Sequence, residues 1–283
     1  MWWQILLIIV AAIIIVIAAM VSIGIQKFNR KVDRDLEKQK SNINPSKPVV
    51  ITEDDIKSLP EPVQRYMKYA QVTGKKRINT VTLRQKGFIR QTQERPWKPF
   101  KATQYFTVNP PSFIWKASMD MLPILSVKAR DMYMEGKGNM YIKLPPFITI
   151  ADSSGNEMDQ GTLLRYLGEM AWFPTAYLSD CVQFLPVDEN STEIIMDYGG
   201  VRSTATVQFN NKGEIVNFSA LRYMESNGKY TLENWMVSLA DYRAFSGIKI
   251  PTQCEITWKL KSGDFSPIRL ELTDVVYDDP SFI

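Results

Sequence analysis

Between Ile248 and Leu260 the chain alternates. Ile248, Ile250, Cys254, Ile256, Trp258 and Leu260 are apolar, and Lys249, Gln253, Glu255, Thr257 and Lys259 lie between them. A period of two puts one set on each face of an extended strand, whereas a helix would scatter both sets around its axis. The same alternation recurs. Phe113, Trp115, Ala117 and Met119 share one face within 112–119, and Met140, Ile142 and Leu144 share one within 139–144. Ile268, Leu270 and Leu272 repeat it, and in 201–209 Arg202, Thr204, Thr206 and Gln208 take the polar side. Turn signals separate these runs at Asn210–Gly213, Ser226–Gly228, Ser154–Asn156 and Lys261–Asp264. The pattern predicts about ten strands in one large, curved antiparallel sheet with one wet face. Its apolar face must be covered by closure, by helices or by a ligand.

The N-terminus follows another rule. Trp2 to Ile25 is almost unbroken apolar sequence. Roughly 20 such residues cross a bilayer as a helix. Nothing basic precedes the run, and it is longer than a signal-peptide core, so an uncleaved anchor is expected over 1–26. Trp2 and Trp3 suit the membrane interface. From Lys27 the sequence is polar and mixed in charge, and it reads as a short juxtamembrane helix and a linker over 27–50. Residues 51–283 form the expected single α+β domain. Lys27, Arg30, Lys31 and Arg34 all follow the span, and by the positive-inside rule they place the domain in the cytoplasm.

Two helical segments precede the strands. Thr52 is placed as an N-cap with acids behind it. Val63, Tyr66, Met67 and Ala70 make one apolar face, ended by Gly74. One further helix interrupts the strands in MDQGTLLRYLGEMAWFP, residues 158–174. Asp159 reads as its N-cap, and Leu163, Leu164, Leu167, Met170 and Ala171 as its apolar stripe. Arg165 and Glu169 form an i, i+4 pair expected on the opposite side. Pro174 stops it. Such a helix either plugs the apolar face of the sheet or lids a cavity on it.

Composition removes several chemistries. Histidine is absent, which excludes His-based triads, His-ligated zinc and imidazole acid–base catalysis. A net charge of +4 is too mild for a nucleic-acid partner. Cys181 and Cys254 are not in a CxxC pattern, and Cys254 reads as a buried thiol on a strand. Arg130, Asp131, Asp152, Glu157, Asp159, Arg165 and Glu169 lie close in sequence. Paired carboxylates there could serve acid–base hydrolysis or hold a hard cation, but a solvated rim plus a helix cap explains them more simply. The chain lacks a P-loop, a nucleophile elbow, an HExxH and an EF-hand loop. Gly136 and Gly138 fit a bulge or tight bend. No catalytic residue, metal or cofactor is assigned.

Large, adaptable apolar residues line promiscuous sites. Trp115, Met119, Met132, Met140, Leu164, Trp172, Phe173 and Trp258 are the candidate walls of a hydrophobic groove between sheet and helix.

Taken together, LPEPVQRYMKYA, QYFTVNPPSFIWKA, ARDMYMEGKGNMYIKL, MDQGTLLRYLGEMAWFP, LRYM and GIKIPT resemble a bacterial family of single-anchor membrane proteins whose domain has no assigned function. The resemblance runs from about Leu59 onward and carries no catalytic residues. The sheet-plus-helix layout is similar to the lipoprotein-carrier half-barrel, which implies an acyl-chain ligand and an extracytoplasmic domain. The leading expectation is a membrane-tethered, non-catalytic module holding a lipid or other apolar ligand. The alternatives are an envelope protein–protein interaction or stress-sensing module, and a carboxylate-dependent hydrolase on lipid or glycan through Asp152, Glu157, Asp159 and Glu169.

Overall fold

The computed structural model describes residues 2–44, 48–122, 125–226 and 228–279. Helix α1 spans Trp2–Ser41, α2 Glu53–Lys57 and α3 Glu61–Tyr69. Strands β1 Thr80–Ile89, β2 Lys98–Thr107, β3 Ser112–Leu122, β4 Leu125–Met134, β5 Lys137–Leu144 and β6 Ile148–Ser153 follow. Helix α4, Asn156–Glu169, continues into two 3-10 turns, Met170–Trp172 and Pro174–Leu178. The chain then returns through β7 Val182–Asp188, β8 Ser191–Tyr198, β9 Val201–Phe209, β10 Ile215–Ser226, β11 Lys229–Phe245, β12 Ile248–Leu260 and β13 Gly263–Tyr277.

All the strands join one sheet in the order β6-β5-β4-β3-β2-β1-β13-β12-β11-β10-β9-β8-β7, and every pairing is antiparallel. This is the expected curved sheet, with 13 strands rather than about ten. The extra strands come from runs too short or too polar to alternate clearly, such as β6 and β7. One join, β1 to β13, links the first strand to the last, so the two halves of the chain are two wings of one sheet.

The wings curl toward each other around α4, which packs on β4 and β5 of one wing and on β8, β9 and β10 of the other. At one corner they meet. The β4–β5 turn at Gly136 lies against the β8–β9 turn at Gly199, so closely that a Cβ on Gly136 would sit 2.6 Å from the Gly199 carbonyl oxygen. Both glycines have positive φ, 78° and 62°. Only residues without a Cβ allow this contact in this conformation. The Tyr133 hydroxyl donates to the Tyr198 carbonyl beside it. The ladder puts Gly136 at the Val81–Phe113 end of its wing and Gly199 at the Ser226–Leu260 end of the other, so the wings meet at a diagonal corner, and we call the Val81–Phe113 end of the ladder the lower end.

Two local expectations change. Helix α4 starts at Asn156 behind Gly155, and Asp159 is not its cap. The Asp159 carboxylate instead accepts from the Gly138 amide at 2.7 Å and pairs with Lys137 at 2.9 Å, tying the helix to β5. Thr52, by contrast, caps α2 in a reciprocal box with Asp55.

The N-terminal helix does not stop at residue 26. It runs unbroken to Ser41, and its second half docks on the outer face of the sheet, opposite α4. Phe28 and Val32 are buried against Ile114 and Met134 of β3 and β4. Gln39 donates to Ser112 at 2.8 Å, Arg130 pairs with Asp35 at 3.3 Å, and Lys38 and Asn42 both reach Glu135. The segment read as a spacer is therefore a packed element. Its apolar contacts are spaced i, i+4 among charges, which hides them in a composition-based reading. Near Gly24, where a Cβ would lie 2.7 Å from Pro146 Cα, the helix passes the β5–β6 turn. Beyond it, the apolar residues from Trp2 to Ile23 are largely exposed. This stretch is long and apolar enough to cross a membrane.

Candidate functional site

The inner face of the sheet, the one facing α4, has three tiers. In the lower tier every inward side chain is buried. Val81, Phe106, Phe113, Tyr133 and Ile250 are at 0% exposure. They pack against Leu163, Leu164, Tyr166 and Leu167 of α4, the 3-10 turns, and Tyr66 and Met67 of α3. Phe106 alone stacks with Phe113, Tyr166 and Phe173 at centroid distances of 4.8–6.1 Å. Burying this many aromatics together makes a packed plug.

The middle tier is polar. Gln104, Trp115 and Asp131 stand side by side in register on β2, β3 and β4. Arg165 reaches down from α4 to Asp131 at 2.6 Å and to Glu169 at 2.8 Å. Gln104 donates to Glu169 at 2.7 Å, Gln85 donates to Gln104 at 3.1 Å, and the Trp115 indole donates to Gln85 at 2.8 Å. The Arg165 guanidinium also stacks over Phe113 and Trp115, at 5.0 and 5.1 Å from their ring centres. Burial pulls the Arg165 pKa down, but Glu169 and Asp131 outweigh it and hold it above its ordinary value. Burial pushes the Glu169 carboxyl up, with Arg165 and Gln104 partly offsetting it. Arg165 and Glu169 were expected on the outer side of the helix, in water. They are inside because both wings enclose α4, leaving it no wet side.

The upper tier is apolar and unfinished. Ile89, Met119, Ile142, Met224, Leu260 and Ile268 point inward on six different strands, and all are only half-buried. Among the described residues the main helical contacts with the sheet's inner face are those of α4 with β4, β5, β8, β9 and β10, of α3 with β8 and of the first 3-10 turn with β12. The tier opens at the end where α1 leaves the sheet beside Pro146. Phe147, Ile148 and Ile150, on and after that turn, are 73%, 58% and 51% exposed.

The sequence matches the profile of a family described as a family of unknown function (DUF6544) over residues 49–270. The chain belongs to that family. No curated protein matches it. Among solved structures it is similar to a LolA superfamily protein from Nitrosomonas europaea, at 8% identity and a TM-score of 0.39, covering 81% of this chain and 95% of that one. It is also similar to a beta-barrel-like protein of the domain of unknown function DUF1849 from Brucella abortus, at 10% identity and a TM-score of 0.26, covering 72% and 99%.

The predicted wall residues fall in different places. Met119 and Met140 are half-buried and face inward, and Trp115 and Trp258 are buried in and beside the polar tier. Leu164, Trp172 and Phe173 belong to the packed lower tier, at 0–2% exposure, and line no open space. Met132 lies on the opposite face, against the cluster under α1. It fails for a simple reason: its strand is covered on both faces, so apolar residues appear on both. Ile89, Met224 and Leu260 were missed, although their place in the alternation marks them. The carboxylates do not gather as a hydrolytic pair. Asp159 and Glu169 are ten residues apart on one helix, about 15 Å along its axis. Asp152 binds Asn139 on the outer side. Among the described residues no cluster of metal-ligating side chains occurs.

A cavity of about 790 Å³ opens on the outer face. Lys86, Phe88, Lys101, Glu255, Arg269 and Glu271 line it, and none of the predicted wall residues does. Four of its charges are paired, Lys86 with Glu271 at 3.1 Å and Arg269 with Glu255 at 3.0 Å, and Lys101 and Asp120 also line it.

Proposed function

We propose that this chain is a membrane-tethered, non-catalytic module that holds an acyl chain in the upper tier of its curled sheet. The observation that carries this reading is the band of half-buried inward apolar side chains above a sealed lower tier. Leaving that much apolar surface uncovered costs free energy, and an acyl chain laid along it recovers roughly 0.8 kcal/mol per buried methylene. The position of α1 supports the same reading. Its docked half runs down the outer face from Pro146 to Glu135, so its apolar half projects past the open end. With that half in a bilayer, the opening and the exposed Phe147 and Ile148 sit at the lipid surface.

The test is lipid content. Full-length chain is transferred to amphipol, washed, extracted and quantified by mass spectrometry, beside Met119→Asp. Lipid around the anchor helix is common to both. A stoichiometric fraction lost only from Met119→Asp, with circular dichroism unchanged, is the expected result. Equal lipid in both removes the groove.

The outer cavity supports a second reading, since 790 Å³ lies within the range of small-molecule sites. Its paired charges and the half-exposed Phe88 suit a polar or peptidic ligand rather than an acyl chain.

A further inference from the structure

Arg222 breaks the pattern of the polar tier. It is an inward residue of β10, half-buried, at the border with the open upper tier. Its guanidinium lies over the Trp235 ring at 4.8 Å and near Trp258 at 6.0 Å. Its other side is against α4 at Gly161, where a Cβ would stand 3.3 Å from Arg222 Nε. Stacking occupies the two faces of the guanidinium and leaves the N–H groups at its edge unused. Among the described residues Arg222 makes no ion pair and no hydrogen bond. The nearby carboxylates of Asp131 and Glu169 are taken by Arg165, and Glu233, its cross-strand neighbour in register, does not pair with it.

Two more polar atoms in this tier lack partners. The buried Trp235 Nε1–H, on the ring beneath Arg222, donates to nothing, and Asp131 Oδ1 accepts from nothing. Buried donors without acceptors are rare and costly. Burial pulls the Arg222 guanidinium down to about 10, with the Asp131 and Glu169 carboxylates offsetting only part of it. A positive charge thus lies at the border of the apolar upper tier, with an idle, fully buried indole donor in the ring beneath it.

We propose that Arg222 and Trp235 Nε1 form a binding site for the anionic end of a single-chain amphiphile, a carboxylate or phosphate monoester, which enters head first with its acyl chain in the upper tier. This inference rests on the groove proposed above and adds which ligand it takes and which way round. Two N–H groups of a guanidinium match two oxygens of either anion, and the indole supplies a further donor. A carrier that only matched hydrocarbon would not need them.

The experiment measures binding of radiolabelled palmitate, hexadecyl phosphate, hexadecanol and inorganic phosphate to the full-length chain in amphipol at pH 7.4. Wild type, Arg222→Gln and Trp235→Phe are compared, and each variant's melting midpoint is recorded. One or both anionic amphiphiles should bind at least ten-fold tighter than hexadecanol. Arg222→Gln should abolish that preference without lowering the midpoint, because it removes an unpaired charge. Trp235→Phe, which keeps the stacking ring, should reduce the preference less. Palmitate against hexadecyl phosphate tells which anion is preferred. Equal binding of acid and alcohol overturns this inference and leaves the groove standing. Failure of all three amphiphiles overturns the groove itself. Inorganic phosphate binding as tightly as the amphiphiles reduces the site to a free-anion site and overturns the head-first ligand. A lower midpoint with unchanged preference in Arg222→Gln makes the residue structural, and the site is lost.

Discussion

The lower and upper tiers of the inner face are built from the same strands and finished differently. On β1, Val81 is sealed while Ile89, a few residues on, is half-open. On β3, Phe113 is sealed and Met119 half-open. The lower tier receives large aromatics from both wings, and helices fill what remains. The upper tier carries Met, Ile and Leu, all half-buried. The polar tier between them fixes α4 at one depth, because Arg165 must reach Asp131 of β4 while Glu169 accepts from Gln104 of β2. A helix held there is a plug below its charged layer and a floor above it. Whether α4 is lid or plug, the question raised by its sequence, divides at Arg165.

The comparison can be broken most strongly from below. Phe106→Ala removes a ring that touches three others, and it should cost about 3–5 kcal/mol in urea denaturation. A loss under about 1 kcal/mol would mean that the lower tier is not solid. Arg165→Leu leaves two inward carboxylates facing each other. Allowing for the partial exposure of Arg165, the cost should be about 2–4 kcal/mol, and lower pH should offset part of it. The sign follows from Glu169: burial already raises its folded pKa, so protonation on acidification favours the folded state. If the variant instead loses more stability on acidification, those carboxylates are not buried together.

Val32→Asp addresses α1. Val32 is fully buried against the outer face, and charging it should undock the helix and open residues 30–40 to limited trypsin digestion while the sheet persists. An unchanged digestion pattern would show that the docked half of α1 contributes nothing. Met224→Asp acts at the top. It should cost less than about 1 kcal/mol, because the side chain is already half-exposed, and it should remove bound lipid. A collapse of stability there would make the upper tier core rather than groove. The smallest effect is at the thiols. Burial pushes Cys254 up to about 12 and also raises Cys181. Neither should react with iodoacetamide at neutral pH before denaturant is added, which peptide mapping would reveal.

Much of the fold was legible because alternation is a direct imprint of a two-faced sheet. The strand over Ile248–Leu260 and the N-cap at Thr52 are as read. Edge strands β6 and β7 carry too few buried positions to leave that imprint. The docking of α1 was hidden for a different reason. Its contacts with the sheet are a few side chains, Phe28, Val32 and Gln39, among charges that read as solvated. The upper tier was only partly legible. Trp115, Met119 and Trp258 do face inward, but period two marks a face and not a depth, so it could not separate sealed Phe173 from half-open Met119. The buried charges were misread because Asp131, Arg165 and Glu169 satisfy one another only once the wings close. Arg222 carried no signal at all, since its environment is assembled from β10, β11, β12 and α4.

The most direct measurement is photo-crosslinking with a diazirine palmitate probe in cells expressing the full-length chain, followed by peptide mapping of the adducts. The account predicts adducts on inward residues of the upper tier, around Met119, Met224 and Leu260, which Met224→Asp abolishes. Adducts confined to α1 or to Phe88 and the outer cavity would contradict it.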